Sequence, residues 1–131
     1  MSPRHLLATT ASAALLAGGL VGLAPTAAWS AYTTVTSVHG ANLQACRATV
    51  GGDPAVRFRL DNRAGRHAHR GSVSRQRGGV SRTFSVQPGA GRVSAVKTVR
   101  LRSGDRLVSG IQDLDGPGAG GDFSRSDLRA C

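Results

Sequence analysis

The middle of the chain alternates between apolar and polar residues, which is the pattern of a β-strand with one buried face. In residues 55–61, AVRFRLD, Val56, Phe58 and Leu60 fall on one side, and Arg57 and Arg59 fall on the other. An α-helix would spread these five side chains around its circumference. The segment therefore predicts a strand whose apolar side faces a core.

Six further segments have the same character, since they are short, β-branched or alternating, and bounded by turn residues. They span residues 33–39, 43–50, 71–77, 81–87, 92–101 and 105–114. Gly78 and Gly79 suit the two-residue turn of a hairpin between the strands at 71–77 and 81–87. No stretch after residue 31 has the 3.6-residue period of a helix, and no linker divides the chain.

Seven short strands separated by turns are typical of an all-β chain with two packed sheets. We expect residues 31–131 to form a single small antiparallel two-sheet sandwich, immunoglobulin-like in architecture. The glycine-rich residues 113–127 predict a flexible loop that lets the C-terminal segment return to the sheets.

Residues 1–30 differ in composition from the rest of the chain. A basic start with Arg4 is followed by an apolar run over residues 6–24 and then by small residues. This order is typical of a secretory signal peptide, and we predict cleavage after Ser30. A retained membrane anchor is the alternative, although threonine, serine and glycine make the segment a poor one. The mature chain is expected to be extracellular or cell-wall associated, with no transmembrane span.

The chain contains two cysteines, Cys46 near the start of the mature part and Cys131 at its end. In an exported protein such a pair is expected to form a disulfide. The loop so closed holds nearly the whole domain, and the chain-entropy model gives a stabilisation of about 4.5 kcal/mol. Free thiols or an intermolecular bridge are the alternatives.

Basic residues dominate the charge of the mature chain. Without Arg4, the +10 of the full sequence becomes +9, from 16 basic and 7 acidic side chains. Residues 47–102 hold 13 of the basic side chains against two aspartates. Three Arg-x-Arg pairs have the two-residue spacing that projects both side chains from one face of a strand. The pairs are Arg57 and Arg59, Arg75 and Arg77, and Arg100 and Arg102.

A cationic sheet face predicts electrostatic attachment to an anionic cell-wall polymer, an acidic polysaccharide or extracellular DNA. The alternative is an ordinary solvated face, rich in arginine because of the coding bias of a GC-rich genome. Specific nucleic-acid recognition is not expected, because aromatic residues are few and no recognition signature is present.

A second hypothesis is an inhibitor or protein-partner module that inserts an exposed loop, at residues 62–71 or 115–124, into another protein. Catalysis is not expected, since the chain has no glutamate and no Gly-x-Ser-x-Gly motif. No cofactor is expected, and nothing in the sequence indicates an oligomeric state.

Two weak candidates for metal binding remain. His67 and His69 are two residues apart, so on an extended segment both imidazoles could bind one ion, with His39 as a third ligand. The flanking arginines would repel a cation, so a solvated loop is the alternative. A loose calcium site could be formed by three aspartates, Asp113, Asp115 and Asp122.

Overall fold

The computed structural model describes residues 31–131, which form nine β-strands and one short 3₁₀ turn. The strands are β1 (Thr33–Val38), β2 (Ala41–Val50), β3 (Asp53–Asn62), β4 (His69–Arg77), β5 (Val80–Val86), β6 (Arg92–Val93), β7 (Lys97–Arg100), β8 (Arg106–Asp113) and β9 (Gly118–Phe123), and the turn is η1 (Arg125–Asp127). No helix within the described residues is long and apolar enough to cross a membrane. The predicted signal peptide at residues 1–30 lies outside the described part of the chain.

The strands form two sheets. Sheet A has the order β1-β2-β3, with β6 and β7 both paired to the free edge of β3, and sheet B has the order β5-β4-β8-β9. Every pairing between these strands is antiparallel. The predictions of an all-β chain and of two antiparallel sheets are confirmed.

The core lies between the two sheets and follows from the alternation along β3. Val56, Phe58 and Leu60 are fully buried and belong to one apolar cluster with residues of sheet B. In that cluster, Val73 comes from β4 and Ile111 comes from β8. The prediction that the apolar side of residues 55–61 faces a core is confirmed.

The strand predicted over residues 92–101 is divided into two short strands, β6 and β7. Between them, Ser94 takes over the hydrogen bonds of the sheet: its backbone N–H donates to the Leu60 carbonyl at 2.9 Å, and its hydroxyl accepts from the Leu60 N–H at 2.8 Å. The Ser94 hydroxyl thus takes the place of the backbone carbonyl that would accept the Leu60 N–H in a continuous strand.

Residues 113–127, predicted as a flexible loop, contain the edge strand β9. Its register runs from Gly118 opposite Gln112 to Phe123 opposite Leu107. A side chain at Gly120 would collide with the Ser109 carbonyl, so glycine is needed where β9 approaches β8. The prediction was wrong because a strand composed mainly of glycine and alanine has neither β-propensity nor alternation.

The C-terminal segment returns to sheet A and forms the predicted disulfide between Cys46 and Cys131, whose Cα atoms are 5.0 Å apart. Beside β2, the Arg47 N–H donates to the Arg129 carbonyl at 2.8 Å, and the Cys131 N–H donates to the Arg47 carbonyl at 2.9 Å. The last residues therefore form a short parallel bridge along the part of β2 that β1 leaves unpaired.

Candidate functional site

The six arginines of the three predicted pairs, which would form a cationic ladder where their strands share a sheet, are distributed over both sheets. In sheet A, Arg57 and Arg59 lie on β3 and Arg100 lies on β7, while Arg75 and Arg77 lie on β4 of sheet B and Arg102 follows β7. A single ladder of all six on one face is therefore not formed.

Arg59 does not face water as the alternation of β3 predicted. Its Nε donates to Gln44 Oε1 at 3.0 Å, and its guanidinium carbon lies 4.0 Å from the centre of the Tyr32 ring. The side chain is buried because Tyr32, from the segment before β1, covers it on the outer face of sheet A. Arg59 thus anchors the first described residues to the sandwich.

Arg75 and Arg77 point toward sheet A, and not toward water on the outer face of sheet B as a cationic sheet face requires. They occupy the same side of β4 as the buried Val73, beyond the end of the apolar core. The solvent side of β4 carries Arg70 together with the neutral side chains of Ser72, Ser74 and Gln76. The prediction was wrong because segment 71–77 has one apolar residue, Val73, and that residue fixes which side faces inward.

Arg77 is neutralised by a buried carboxylate. Its Nε and Nη2 donate to the two oxygens of Asp105 at 2.7 and 2.6 Å, and the Asp105 side chain is 1% exposed. Asp105 also accepts the Arg102 backbone N–H at 2.7 Å. The hydrogen bonds from Arg77 lower the pKa of Asp105 to about 2.

Three of the four remaining predicted arginines, Arg57, Arg75 and Arg100, come together at a surface cleft of about 480 Å³, whereas Arg102 is not part of its lining. The cleft lies where β7 of sheet A approaches β5 of sheet B. A fourth arginine, Arg82 of β5, completes the group. We call this surface the arginine cleft; its lining residues are Val50, Arg57, Arg75, Arg82, Phe84, Thr98 and Arg100.

The strand registers bring these arginines together. In β7, Arg100 lies opposite Ala55 and Thr98 lies opposite Arg57, so Arg57 and Arg100 are diagonal neighbours on sheet A. In sheet B, Arg75 lies directly opposite Arg82. Arg75 Nη1 donates to the Arg100 carbonyl at 2.8 Å, which connects the two sheets at this edge.

The arginine cleft has no carboxylate in its lining. Within residues 31–131, none of its four arginines lies within salt-bridge distance of an acidic group. Arg82 lies 5.2 Å from the centre of the Phe84 ring, a cation–π distance. The positive charge of Arg75 contributes to the lowered pKa of Asp105, but Asp105 accepts its hydrogen bonds from Arg77 and Arg102. Because like charges directly opposite on a sheet destabilise it, this cluster favours an external anion.

Arg82 was missed by the sequence analysis, although the sequence contained a signal for it. A two-residue turn at Gly78 and Gly79 pairs residue 77 with residue 80, and therefore Arg75 with Arg82. Arg82 also shares its side of β5 with Phe84 and Val86. Arg82 lies on the apolar side of the hairpin and opposite a second arginine, Arg75. This pattern could have predicted the arginine cleft from the sequence.

The predicted histidine pair is divided between two carboxylates at the other end of the sandwich. His67 Nδ1 lies 3.4 Å from Asp115 Oδ2, whereas the buried His69 has its Nε2 3.6 Å from Asp113 Oδ2. His39 Nδ1 lies 3.0 Å from the same Asp113 oxygen. Among residues 31–131, no group of three or more His, Cys, Asp or Glu side chains is placed to hold a metal ion.

The three aspartates of the candidate calcium site do not converge either. Asp122 lies on β9 and accepts a hydrogen bond from Arg106 Nη2 at 2.8 Å. Asp113 is bonded to His39, and this hydrogen bond is the main cause that lowers the pKa of the carboxyl group. Both carboxylates therefore form hydrogen bonds within the protein and do not face a common calcium position.

The loops proposed to insert into a partner protein are shorter than predicted. Residues 62–71 overlap the end of β3 and the start of β4, which leaves residues 63–68 as the connection. Residues 115–124 contain β9, which leaves residues 114–117 before it. Among the candidate sites predicted from the sequence, the arginine cleft is the one at which predicted residues converge.

Comparisons of the chain with models of known protein families, with curated proteins and with solved structures found no match.

Proposed function

We propose that the protein is a secreted, non-catalytic basic β-domain that attaches electrostatically to anionic polymer at the cell envelope or outside the cell. The arginine cleft is the place of attachment. The observation that carries this proposal is the convergence of four arginines from four strands around a cleft without a carboxylate. Such a concentration of positive charge attracts polyanions and releases their counterions on binding.

The distribution of acidic residues supports the same conclusion. Elsewhere on the described surface, arginines are paired with aspartates in three ion pairs: Arg63 with Asp61, Arg77 with Asp105, and Arg106 with Asp122. The arginine cleft has no such carboxylate in its lining, so its positive charge remains available to an anionic ligand.

Export is part of the proposal. Residues 1–30 have the composition of a signal peptide, and cleavage after Ser30 would release a chain that begins with Ala31. The disulfide between Cys46 and Cys131 supports an oxidising compartment, because disulfides persist outside the cytosol and are rare within it.

We also propose that the sandwich is immunoglobulin-like. If β2, β3 and β7 are taken as strands A, B and E, and β4, β5, β8 and β9 as C, C′, F and G, the orders of both sheets agree with that arrangement. β1 is then an additional edge strand. The disulfide joins strand A to the C-terminal segment instead of joining strands B and F.

The proposal is tested by the binding of the purified protein to a labelled 20-base-pair DNA and to labelled dextran sulfate, measured by fluorescence anisotropy. Both polymers are expected to bind, and affinity should fall steeply with salt. The double variant Arg57→Ala/Arg82→Ala should weaken binding at least tenfold at 50 mM NaCl. For DNA, it should also reduce the slope of log K against log salt by about 2, because each phosphate contact contributes about 0.9.

The matched control is Arg66→Ala/Arg92→Ala, which removes the same charge from exposed positions at the other end of the sandwich. Equal losses in the two double variants would show that net charge, and not the arginine cleft, carries the binding. Binding that does not depend on salt would contradict electrostatic attachment and favour the protein-partner module.

A further inference from the structure

We propose that the arginine cleft is a site for phosphate groups, and that it takes a phosphomonoester or two adjacent phosphates of a polymer in preference to carboxylates. This inference rests on the proposed function, since it names the chemical group that the cleft holds. It follows from the number of guanidinium groups, from the strands that carry them and from the unpaired Nε of Arg75.

The charge of the cleft exceeds what a carboxylate can match. A carboxylate carries one negative charge on two oxygens in one plane, and one bidentate arginine already engages both. A phosphomonoester carries a charge of about −1.5 to −2 on three oxygens. Its tetrahedral oxygens accept from donors on several sides, which suits four guanidinium groups that lie on β3, β4, β5 and β7.

Arg75 is only partly satisfied as a hydrogen-bond donor. Its Nη1 is held by the Arg100 carbonyl at 2.8 Å, and its buried Nε has no hydrogen-bond partner among residues 31–131. The neighbouring Arg77 uses the corresponding Nε and Nη2 edge to bind both oxygens of Asp105. A buried donor without a partner is costly. An oxyanion in the cleft would reach this buried Nε only if the Arg75 side chain moved, and it would then supply to Arg75 what Asp105 supplies to Arg77.

The size and walls of the cleft indicate more than one phosphate. Its volume of about 480 Å³ falls within the range of about 300–1,000 Å³ that is usual for sites of small organic ligands. Thr98 adds a neutral hydroxyl donor, while Val50 and Phe84 add apolar wall. A phosphate with an attached sugar, or two neighbouring phosphates, would use these features together.

The test compares inorganic pyrophosphate with citrate, which have similar negative charge at pH 7.4, by isothermal titration calorimetry in 50 mM NaCl. The expected result is pyrophosphate binding at least tenfold tighter than citrate. Arg75→Lys keeps the positive charge but removes the bidentate edge, so it should reduce this preference to less than threefold. Arg66→Lys, an exposed position outside the cleft, should leave the preference unchanged.

A second measurement does not depend on any variant folding correctly. The melting temperature of the unaltered protein should rise with millimolar pyrophosphate and remain nearly constant with citrate at equal concentration, because a ligand stabilises the state that it binds. A ten-nucleotide DNA with and without a 5′-phosphate distinguishes the two sources. Tighter binding of the phosphorylated form indicates a terminal monoester, and equal binding indicates adjacent diesters.

The failure of this inference differs from the failure of the proposed function. Equal affinity for citrate and pyrophosphate, with polymer binding that still requires Arg57 and Arg82, would overturn the phosphate preference alone. Loss of all salt-dependent polymer binding would overturn both.

Discussion

The double variant Cys46→Ala/Cys131→Ala is expected to lose about 4.5 kcal/mol of its free energy of unfolding. The disulfide joins residues 85 positions apart, so its removal frees nearly the whole unfolded chain from a closed loop. For a domain of about 100 residues, this loss corresponds to a decrease in melting temperature of roughly 20–30 °C. Urea unfolding followed by circular dichroism measures the difference.

The disulfide also holds the C-terminal segment in place, and several contacts of that segment depend on it. Leu128 is buried against the core, and Arg125 donates from Nη2 to the Ala48 carbonyl at 2.8 Å and from Nε to the Ala55 carbonyl at 3.2 Å. Reduced unaltered protein is the control and should match the double variant. A difference of less than 1 kcal/mol between oxidised protein and variant would contradict this account.

The variant Asp105→Asn is expected to lose about 3 kcal/mol at pH 7. Asp105 holds Arg77 through two charge-assisted hydrogen bonds and is almost fully buried, so its neutralisation leaves a partly buried guanidinium without its counterion. The control is Asp122→Asn, which breaks the exposed ion pair with Arg106 and should cost less than 1 kcal/mol. Equal losses of stability in the two variants would show that burial does not make the Arg77–Asp105 ion pair more important than the exposed one.

The same ion pair predicts a loss of stability in acid. Because the folded-state pKa of Asp105 is about 2, below its ordinary value of 3.8, the ionised carboxylate is favoured by folding. Its stabilisation, about 2 kcal/mol, is complete above about pH 5 and disappears as the pH falls through 2. Urea unfolding at pH 6, 4 and 2 should therefore show the unaltered protein and Asp105→Asn converging in acid. A constant difference would contradict this assignment.

The strands with clear alternation could be predicted from the sequence, because burial on one face imposes a period of two. β3 is the best example, since Val56, Phe58 and Leu60 fix its inner face. The strand β9 could not be found in the same way. Its glycines support a strand only because β8 already provides the hydrogen-bonding edge, which is a tertiary effect absent from the local pattern.

The candidate site was predicted in part. Arg57 and Arg100 belong to it, whereas Arg59 is covered by Tyr32 and Arg77 is paired with Asp105. These two contacts join distant parts of the chain, and spacing within one strand carries no information about them. The length of the turn between β4 and β5 does predict the register of the hairpin, which places Arg82 opposite Arg75.

The central claim is that anionic polymer binds at the arginine cleft and not over the whole basic surface. Its most direct test follows the side-chain Nε–H signals of arginine by nuclear magnetic resonance while dextran sulfate is added. We predict that the signals of Arg57, Arg75, Arg82 and Arg100 shift at the lowest polymer concentrations, with Arg66 and Arg92 unchanged. Simultaneous shifts at all arginines, or shifts that begin at Arg66 and Arg92, would contradict the claim.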